Sequence, residues 1–508
     1  MLYALAAASG VLLTLSFPKF GHPAFAWIAL TPLLVAVTRG RRAFFLGLTT
    51  GLVYFTGTLY WITRVMAVYG GLQGWVAVLV NAALIAYLAL FPAFFAAIVR
   101  RLRTAIGDRA LVAAPFVWVA SELGRTDLFT GFPWVLLGYS QVTVLPIAQF
   151  ASVFGVYGVS ALVASVSAAA AAIVVHRTRD GRAYARIVAP VAVVLLTIAI
   201  WGARRASRAE WTHDGDPVRI GLVQGNVEQG EKTDASRAAA IFEDHLRLTR
   251  QAIGAGAEFV LWSESSLPFW FDEDPASAAV VRALARQARV PILVGSDEVE
   301  WRVDGTRRVP DKMYNSAFLV RSDGATAGVY RKMHLVPFGE YVPLRNLLFF
   351  AAPLVEAIGT GFVAGQDPTV LPVDVHGVHR LSVAICYEVV YPALVRRFVL
   401  GGSELLTTIT NDAWFGRTSA PYQHFAQASM RAIEEGRYLV RAANTGISGI
   451  VDPYGRVLTR TGIFQSAVVV GEARFLAVRT LYARYGDVFA YASVIATAAL
   501  LLLARKVK

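Results

Sequence analysis

Three residues able to act as base, cation and nucleophile stand at the ends of apolar, β-branched runs in a 508-residue chain. Glu264 closes LWSES, Lys332 follows SAFLVRSDGATAGVYR, and Cys386 closes LSVAICYE. Side chains at strand termini can converge on one edge of a sheet, where open α/β folds place their sites. A carboxylate beside a thiol can take its proton, and a nearby ammonium can favour the attacking thiolate. Cys386 is the sole cysteine, so an internal disulfide and a Cys-rich metal site are both excluded. Lysine is scarce, 6 residues against 42 arginines, which makes one at a strand end conspicuous. Each residue also has a bland reading. A lone Cys on an apolar strand is commonly a small buried hydrophobe; Glu264 could cap the segment after it, and Lys332 could be a surface charge beside Arg331. Spacing alone leaves the choice open.

The elements that must carry these residues lie in the second half of the chain. VRIGLVQGN (218–226), EFVLWSES (258–265), VPILVGSDE (290–298), HRLSVAICYE (379–388) and ELLTTITND (404–412) read as strands. Helical patterns cover 234–254 and 275–289, and hairpins turn at Ser322-Asp323-Gly324 and at Asp452-Pro453-Tyr454-Gly455. Strands alternating with helices, then hairpins, predict an α/β layered sandwich over 206–484.

The first half is of another kind. Hydrophobic residues make up 56% of the whole chain and charged ones 16%, against about 25% charged in an ordinary soluble domain. Apolar runs near 2–17, 22–38, 43–63, 75–99, 109–124, 147–175, 187–203 and 486–504 approach the roughly 20 residues of a membrane span. Eight spans follow: about seven in a membrane domain over 1–205, and one over 485–508 with a basic tail. The stretch 125–146, with its Gly, Pro and aromatics, reads as an interfacial loop. Of the net charge of +13, +12 falls in 1–205, whereas 206–484 holds 29 basic and 30 acidic groups. That argues against a nucleic-acid partner, since the large polar region has no basic excess. Basic clusters at 39–42, 100–103, 177–182 and 505–508 follow alternate spans, placing both termini in the cytoplasm and 206–484 outside. A cleaved signal peptide is not expected, because the first apolar run lacks a basic lead and runs into a second.

With these residues in place, the sequence resembles a known family. The order Glu…Lys…Cys with ICYE resembles the nitrilase superfamily of carbon–nitrogen hydrolases. YRKMHLVPFGEYVP (330–343), TNDAWFG (410–416), RYLVRAANTGISGIVDPYGRV (437–457), GFPWVLLGYSQ (131–141) and TLYARYGD (480–487) make the whole chain similar to the bacterial apolipoprotein N-acyltransferases. The resemblance implies a four-layer αββα sandwich on the periplasmic face of the inner membrane. It implies transfer of a fatty acyl chain from a phospholipid to the α-amine of the N-terminal diacylglyceryl-cysteine of apolipoproteins. Glu264 then matches the general base, Lys332 the catalytic lysine and Cys386 the nucleophile. Glu340 matches a supporting carboxylate, and Tyr387 and Glu388 the residues that follow the nucleophile. Two positions depart from the pattern: Ser263 stands where proline is more usual before the base, and QGNVEQGEKTD (224–234) has no aromatic residue near the acyl site.

Both implied substrates are lipids. At about 0.8 kcal/mol per CH₂, drawing a sixteen-carbon chain fully into water would cost more than about 10 kcal/mol, so the site should face the bilayer. LRNLLFFAAPLVEAIG (344–359), with Phe349 and Phe350, suits a lipid-contacting arm or else a core helix; Trp414 and Phe415 suit acyl-pocket walls or ordinary core aromatics. Glu434 and Arg437, three residues apart, read as a structural pair. No cofactor or metal is expected, and a monomer is. The competing readings are a membrane-tethered amidase acting on a soluble amide, with water resolving the thioester, and a non-catalytic lipid or lipoprotein transport component.

Overall fold

The computed structural model describes residues 1–508 apart from 20, 177–180, 233, 305–306, 338, 342–360 and 507–508. The N-terminal part is helical. Among the described residues four segments are long and apolar enough to cross a membrane: Gly74–Asp127, Ala151–His176, Ala185–Thr212 and Val488–Arg505. A fifth arises if Ala43–Leu59 and Trp61–Val68, bent by 53°, form one span, while Leu2–Thr14 and Pro23–Arg39 are shorter apolar helices. Length and apolarity therefore pass fewer segments than the eight expected.

Gly74–Asp127 is no single rod. The helices Gly74–Ile106 and Ala110–Asp127 are joined by a turn at Gly107–Arg109, and they fold back on each other. The Phe95 and Trp118 rings meet edge-on at 5.1 Å, and Gly124 faces Phe91, so one chain runs up as the other runs down. Small residues let the neighbouring helix approach closely, as membrane helices commonly do. A Cβ on Gly47 would lie 2.2 Å from the Pro92 carbonyl oxygen, and one on Gly51 would lie 2.6 Å from Ala89 Cα. The side chains of Val193, Val194, Leu196 and Ile200 are exposed along one helix, as lipid-facing residues would be.

The C-terminal part is built on two six-stranded sheets. The strands are β1 (Asp216–Gln224), β2 (Phe259–Leu261), β3 (Ile292–Asp304), β4 (Arg307–Val320), β5 (Thr326–Arg331), β6 (Val370–Asp374), β7 (Val378–Ile385), β8 (Leu405–Thr410), β9 (Leu439–Ala443), β10 (Gly449–Val451), β11 (Val457–Arg460) and β12 (Ala467–Phe475). Among the described residues their orders are β12-β1-β2-β3-β4-β5 and β11-β10-β9-β8-β7-β6. The expected strands and hairpins are present, although β2 is cut to three residues and β3 and β4 extend into a long hairpin. Helices Ala238–Gly254 and Pro275–Ala288 are amphipathic, burying Ile241, Leu246 and Leu248 in one case and Ala278, Val281 and Ala285 in the other. These residues recur at the three- and four-residue spacing of one helical face.

Strand direction explains why the three singled-out residues meet. β2 is parallel to β3, β3 antiparallel to β4, and β4 antiparallel to β5, so β2 and β5 end on the same edge. In the other sheet β7, β8 and β9 are parallel and likewise end together. The Glu434–Arg437 pairing is corrected. Glu434 lies 2.8 Å from Arg431 instead, and Gly436 ends the helix in a left-handed conformation. Arg437 is thereby turned to the carbonyls of Ser403, Gly436 and Val478.

Candidate active site

Glu264 sits three residues past β2, Lys332 directly after β5, and Cys386 directly after β7. All three are buried, with Lys332 only 1% exposed, which removes its reading as a surface charge. Lys332 Nζ lies 2.8 Å from Glu340 Oε1 and 3.4 Å from Glu264 Oε1. Asn315 Nδ2 donates to the same two oxygens, at 3.2 Å and 2.7 Å respectively. The Asn411 N–H, arriving from the end of β8, donates to Glu264 Oε2 at 2.8 Å, and the Val336 N–H to Glu340 Oε2 at 2.8 Å. Both carboxylates are thus held by directed donors, as buried charges must be.

Cys386 occupies an elbow. Its φ of +53° is a left-handed conformation that a non-glycine residue adopts only where the surroundings enforce it. Glu388 supplies much of that enforcement: its Oε2 accepts from Ile385 N–H, and its Oε1 from the Met333 and His334 N–H groups and the Tyr330 hydroxyl. One carboxylate therefore ties the Cys386 elbow to the segment after Lys332. Burial pushes Glu388 up to about 7, against the pull of those donors. Tyr387, also buried, lies nearly parallel to Trp134 with ring centroids 6.3 Å apart.

The electrostatics refine the chemistry expected of the thiol. Burial pushes Cys386 well above the ordinary thiol range, Glu264 pushes it further, and Lys332 opposes both without prevailing. These surroundings favour the neutral thiol over the thiolate at rest, so a thiol used here as a nucleophile would need a base. Burial alone would lower Lys332, but Glu340 and Glu264 outweigh it, so the side chain stays an ammonium well above the usual lysine range.

The turn carrying Glu264 is braced without the usual proline. Lys232, half-buried, donates from Nζ to the carbonyls of Glu264 (3.2 Å) and Ser265 (3.0 Å). Ser265, at φ +42°, donates to Asp297 Oδ1 at 3.0 Å. Burial lowers Lys232 to about 8 and raises Asp297 to about 6. Gly295 lies beneath the turn, where a Cβ would stand 2.4 Å from the Ser263 carbonyl and 2.9 Å from Glu264 Cα. Lys232, Asn315 and the Asn411 amide were not singled out from sequence. Lysine scarcity was the available signal for the first; the other two act across strands and have no local signature.

Trp414 and Phe415 are half-buried where the two parts of the chain meet. Trp414 lies edge-on to Tyr69 at 5.4 Å, and Phe415 packs at 4.9 Å on Trp61 and at 6.0 Å on Trp134. Phe349 and Phe350 lie outside the described residues. Among the described residues no group of three or more His, Cys, Asp or Glu side chains could hold a metal ion.

Two facing sheets with Glu, Lys and Cys gathered at their strand ends define a carbon–nitrogen hydrolase type of domain, and residues 219–481 match the Carbon-nitrogen hydrolase family model. Residues 9–169 match the model of the Apolipoprotein N-acyltransferase N-terminal domain. The chain is 44% identical to the apolipoprotein N-acyltransferase of Geobacter metallireducens, over 99% of this chain and 95% of that protein. It is 35% identical to that of Methylococcus capsulatus, over 95% and 92%. It belongs to the apolipoprotein N-acyltransferase family. An amidase of the nitrilase superfamily from Nesterenkonia aligns with 55% of this chain and 97% of its own, at 20% identity and a TM-score of 0.40.

Proposed function

We propose that this protein transfers a fatty acyl chain from a phospholipid, through a thioester on Cys386, to the α-amine of the diacylglyceryl-cysteine that begins an apolipoprotein. The observation that carries the reading is a buried ammonium, Lys332, held between two carboxylates next to a buried thiol, in a chain similar along its whole length to proteins named for that activity. Glu264 takes the thiol proton as sulfur attacks the ester carbonyl. Lys332, with the backbone N–H of Tyr387, receives the developing oxyanion, and each such donor is worth about 2.7–4 kcal/mol. Collapse expels the lysophospholipid alkoxide with a proton from Glu264. The acceptor amine then gives its proton to Glu264 as it attacks the thioester, and the thiol is restored. The kinetics are ping-pong. Glu340 holds Lys332, and Glu388 holds the elbow.

The proposed layout divides the chain at 1–205, 206–484 and 485–508, in the inner membrane as a monomer. Eight passages are reached by counting Gly74–Asp127 as two, the bent 43–68 pair as one, and the two short apolar helices as one each. The basic clusters orient both termini inward and the sandwich outward. Trp414 and Phe415 line the acyl path, and on composition Phe349 and Phe350 contact lipid.

The test is reconstitution in phosphatidylethanolamine vesicles with a synthetic diacylglyceryl-cysteinyl peptide. Release of lysophospholipid together with an amide-linked acyl peptide is expected. Hydrolysis of a soluble amide with neither lipid product would favour the amidase instead. The same assay reads a second expectation. Gly295→Ala forces the Glu264 turn outward, and a misplacement near 1 Å can cost about 10²-fold in rate. Single-turnover acylation should slow by about that factor with phospholipid affinity unchanged, and a normal rate would show that the brace does not set the base.

A further inference from the structure

Two successive residues of the helix Ala420–Glu435 join the N-terminal helices to the nucleophile elbow. Gln423 is buried at the junction of the two parts. The Trp134 indole N–H donates to its Oε1 at 2.7 Å, and its Nε2 donates to the carbonyls of Pro18 at 3.2 Å and Thr58 at 3.4 Å. Its neighbour His424, wholly buried, places Nε2 3.1 Å from the carbonyl oxygen of Cys386.

The chemistry of that contact fixes the imidazole. A carbonyl only accepts, so Nε2 carries the proton. Burial and the Arg441 guanidinium hold His424 below the usual histidine range, against the pull of Asp412. On its other side Nδ1 lies 3.1 Å from Asp412 Oδ1 and 3.0 Å from Arg441 Nη2, which also donates to Asp412 Oδ2 at 3.0 Å. Burial would raise Asp412, but Arg441 and His424 outweigh it and hold the carboxyl at about 2. The Asp412–Arg441 ion pair thus holds the far edge of the ring, and the Cys386 carbonyl takes the proton of the near one.

Trp134 closes the circuit. Its ring lies 5.5 Å from the His424 ring and 6.3 Å from that of Tyr387. Cys386 sits in a left-handed conformation that its own side chain does not favour, so a donor on its carbonyl is part of what holds it there.

We infer that Gln423 and His424 form a positioning link, through which the docked N-terminal helices align the Cys386 thiol with Glu264 and Lys332. Gln423 seats the helix on Trp134, Pro18 and Thr58, and His424 passes that seat to the Cys386 backbone. The membrane part is on this view a component of the nucleophile's geometry as well as an anchor. The inference rests on the reading of Cys386 as nucleophile.

The test is a mutant cycle on the full-length protein in phosphatidylethanolamine vesicles, with two readouts. One is the single-turnover rate of fatty-acyl adduct formation by intact mass. The other is the alkylation rate by iodoacetamide, which reports on Cys386 alone because the chain has no other cysteine. His424→Leu should slow both by about 30–100-fold without changing the phospholipid concentration at half-saturation. His424→Gln, which retains an N–H donor near Nε2, should stay within about 5-fold of the parent. Trp134→Phe keeps a ring but loses the donor to Gln423 and should slow both by about 10-fold. Combined with His424→Leu it should add nothing further, because the two act through one path. Equal losses in His424→Leu and His424→Gln, or a double variant as slow as the product of the singles, would overturn the link. Should His424→Leu not fold, Trp134→Phe decides alone, and an unchanged or faster alkylation rate rejects the link. If the parent forms no acyl adduct, the transferase reading falls while the alkylation series still tests the link.

Discussion

A Cys386→Ala protein is expected to lose acyl transfer by about 10⁴-fold or more and to carry no fatty-acyl adduct. Cys386 is the sole thiol of the chain, so no second sulfur can substitute, and the adduct on the parent must map to this residue. The side chain lost is small and buried, and alanine fits the same space, so the fold should persist with a modest change in thermal midpoint. Intact-mass measurement of parent and variant after mixing with phospholipid checks both points. An adduct of equal size on Cys386→Ala would remove the residue from the mechanism. The alkylation profile of the parent adds a finer check. Burial and Glu264 keep the thiol protonated in the resting state, so its reaction with iodoacetamide at pH 8 should be slower than that of a free thiol. A rate at or above that of a free cysteine would mean a standing thiolate and a smaller part for Glu264 as base.

The strand ends were legible because β-branched runs of the right length stop at Leu261, Arg331 and Ile385, and parallel direction then brings those ends to one edge. What spacing could not supply was the partner geometry. Lys332 and Glu340 are eight residues apart and meet at 2.8 Å, but Glu264 joins them from beyond β2, Asn315 from within β4 and Asn411 from the end of β8, and cross-strand contacts leave no periodicity to read. Lys232 illustrates a signal present but unused: one of only six lysines, it braces the Glu264 turn through two carbonyls. Arg437 illustrates the reverse. Helical spacing paired it with Glu434, and a single left-handed glycine at 436 turned it away. The membrane part was legible as apolar runs, yet its close contacts depend on Gly47 and Gly51, whose value appears only when a second helix lies against them. His424 shows the limit most plainly. Within PYQHFAQ it carries no mark, and its partners come from three separate strands: Cys386 just past β7, Asp412 just past β8 and Arg441 within β9.

Lys332→Met should be the most damaging change that leaves the nucleophile in place, and its two effects separate by pH. On activity, it removes the charged donor proposed for the oxyanion, a loss of about 10²–10³-fold. On stability, it leaves the buried Glu264 and the largely enclosed Glu340 carboxylates sharing the Asn315 amide with no cation between them. Removing one partner from a buried ion pair commonly costs about 3–5 kcal/mol. The two carboxylates then repel, and one of them holds a proton above its ordinary value of about 4.3. In that window the folded state binds more protons than the unfolded state, so the variant's stability falls as pH rises from that ordinary value through the raised one. In the parent Lys332 stays charged throughout this range. Thermal midpoints of parent and variant between pH 4 and 8 check this: the difference should widen toward pH 8 and narrow toward pH 4. A constant difference would mean that Lys332 contributes by packing alone. A Lys332→Arg variant should restore the charge and much of the high-pH stability. It should not restore turnover, because a planar guanidinium enclosed at 1% exposure cannot place a single donor where the ammonium stood.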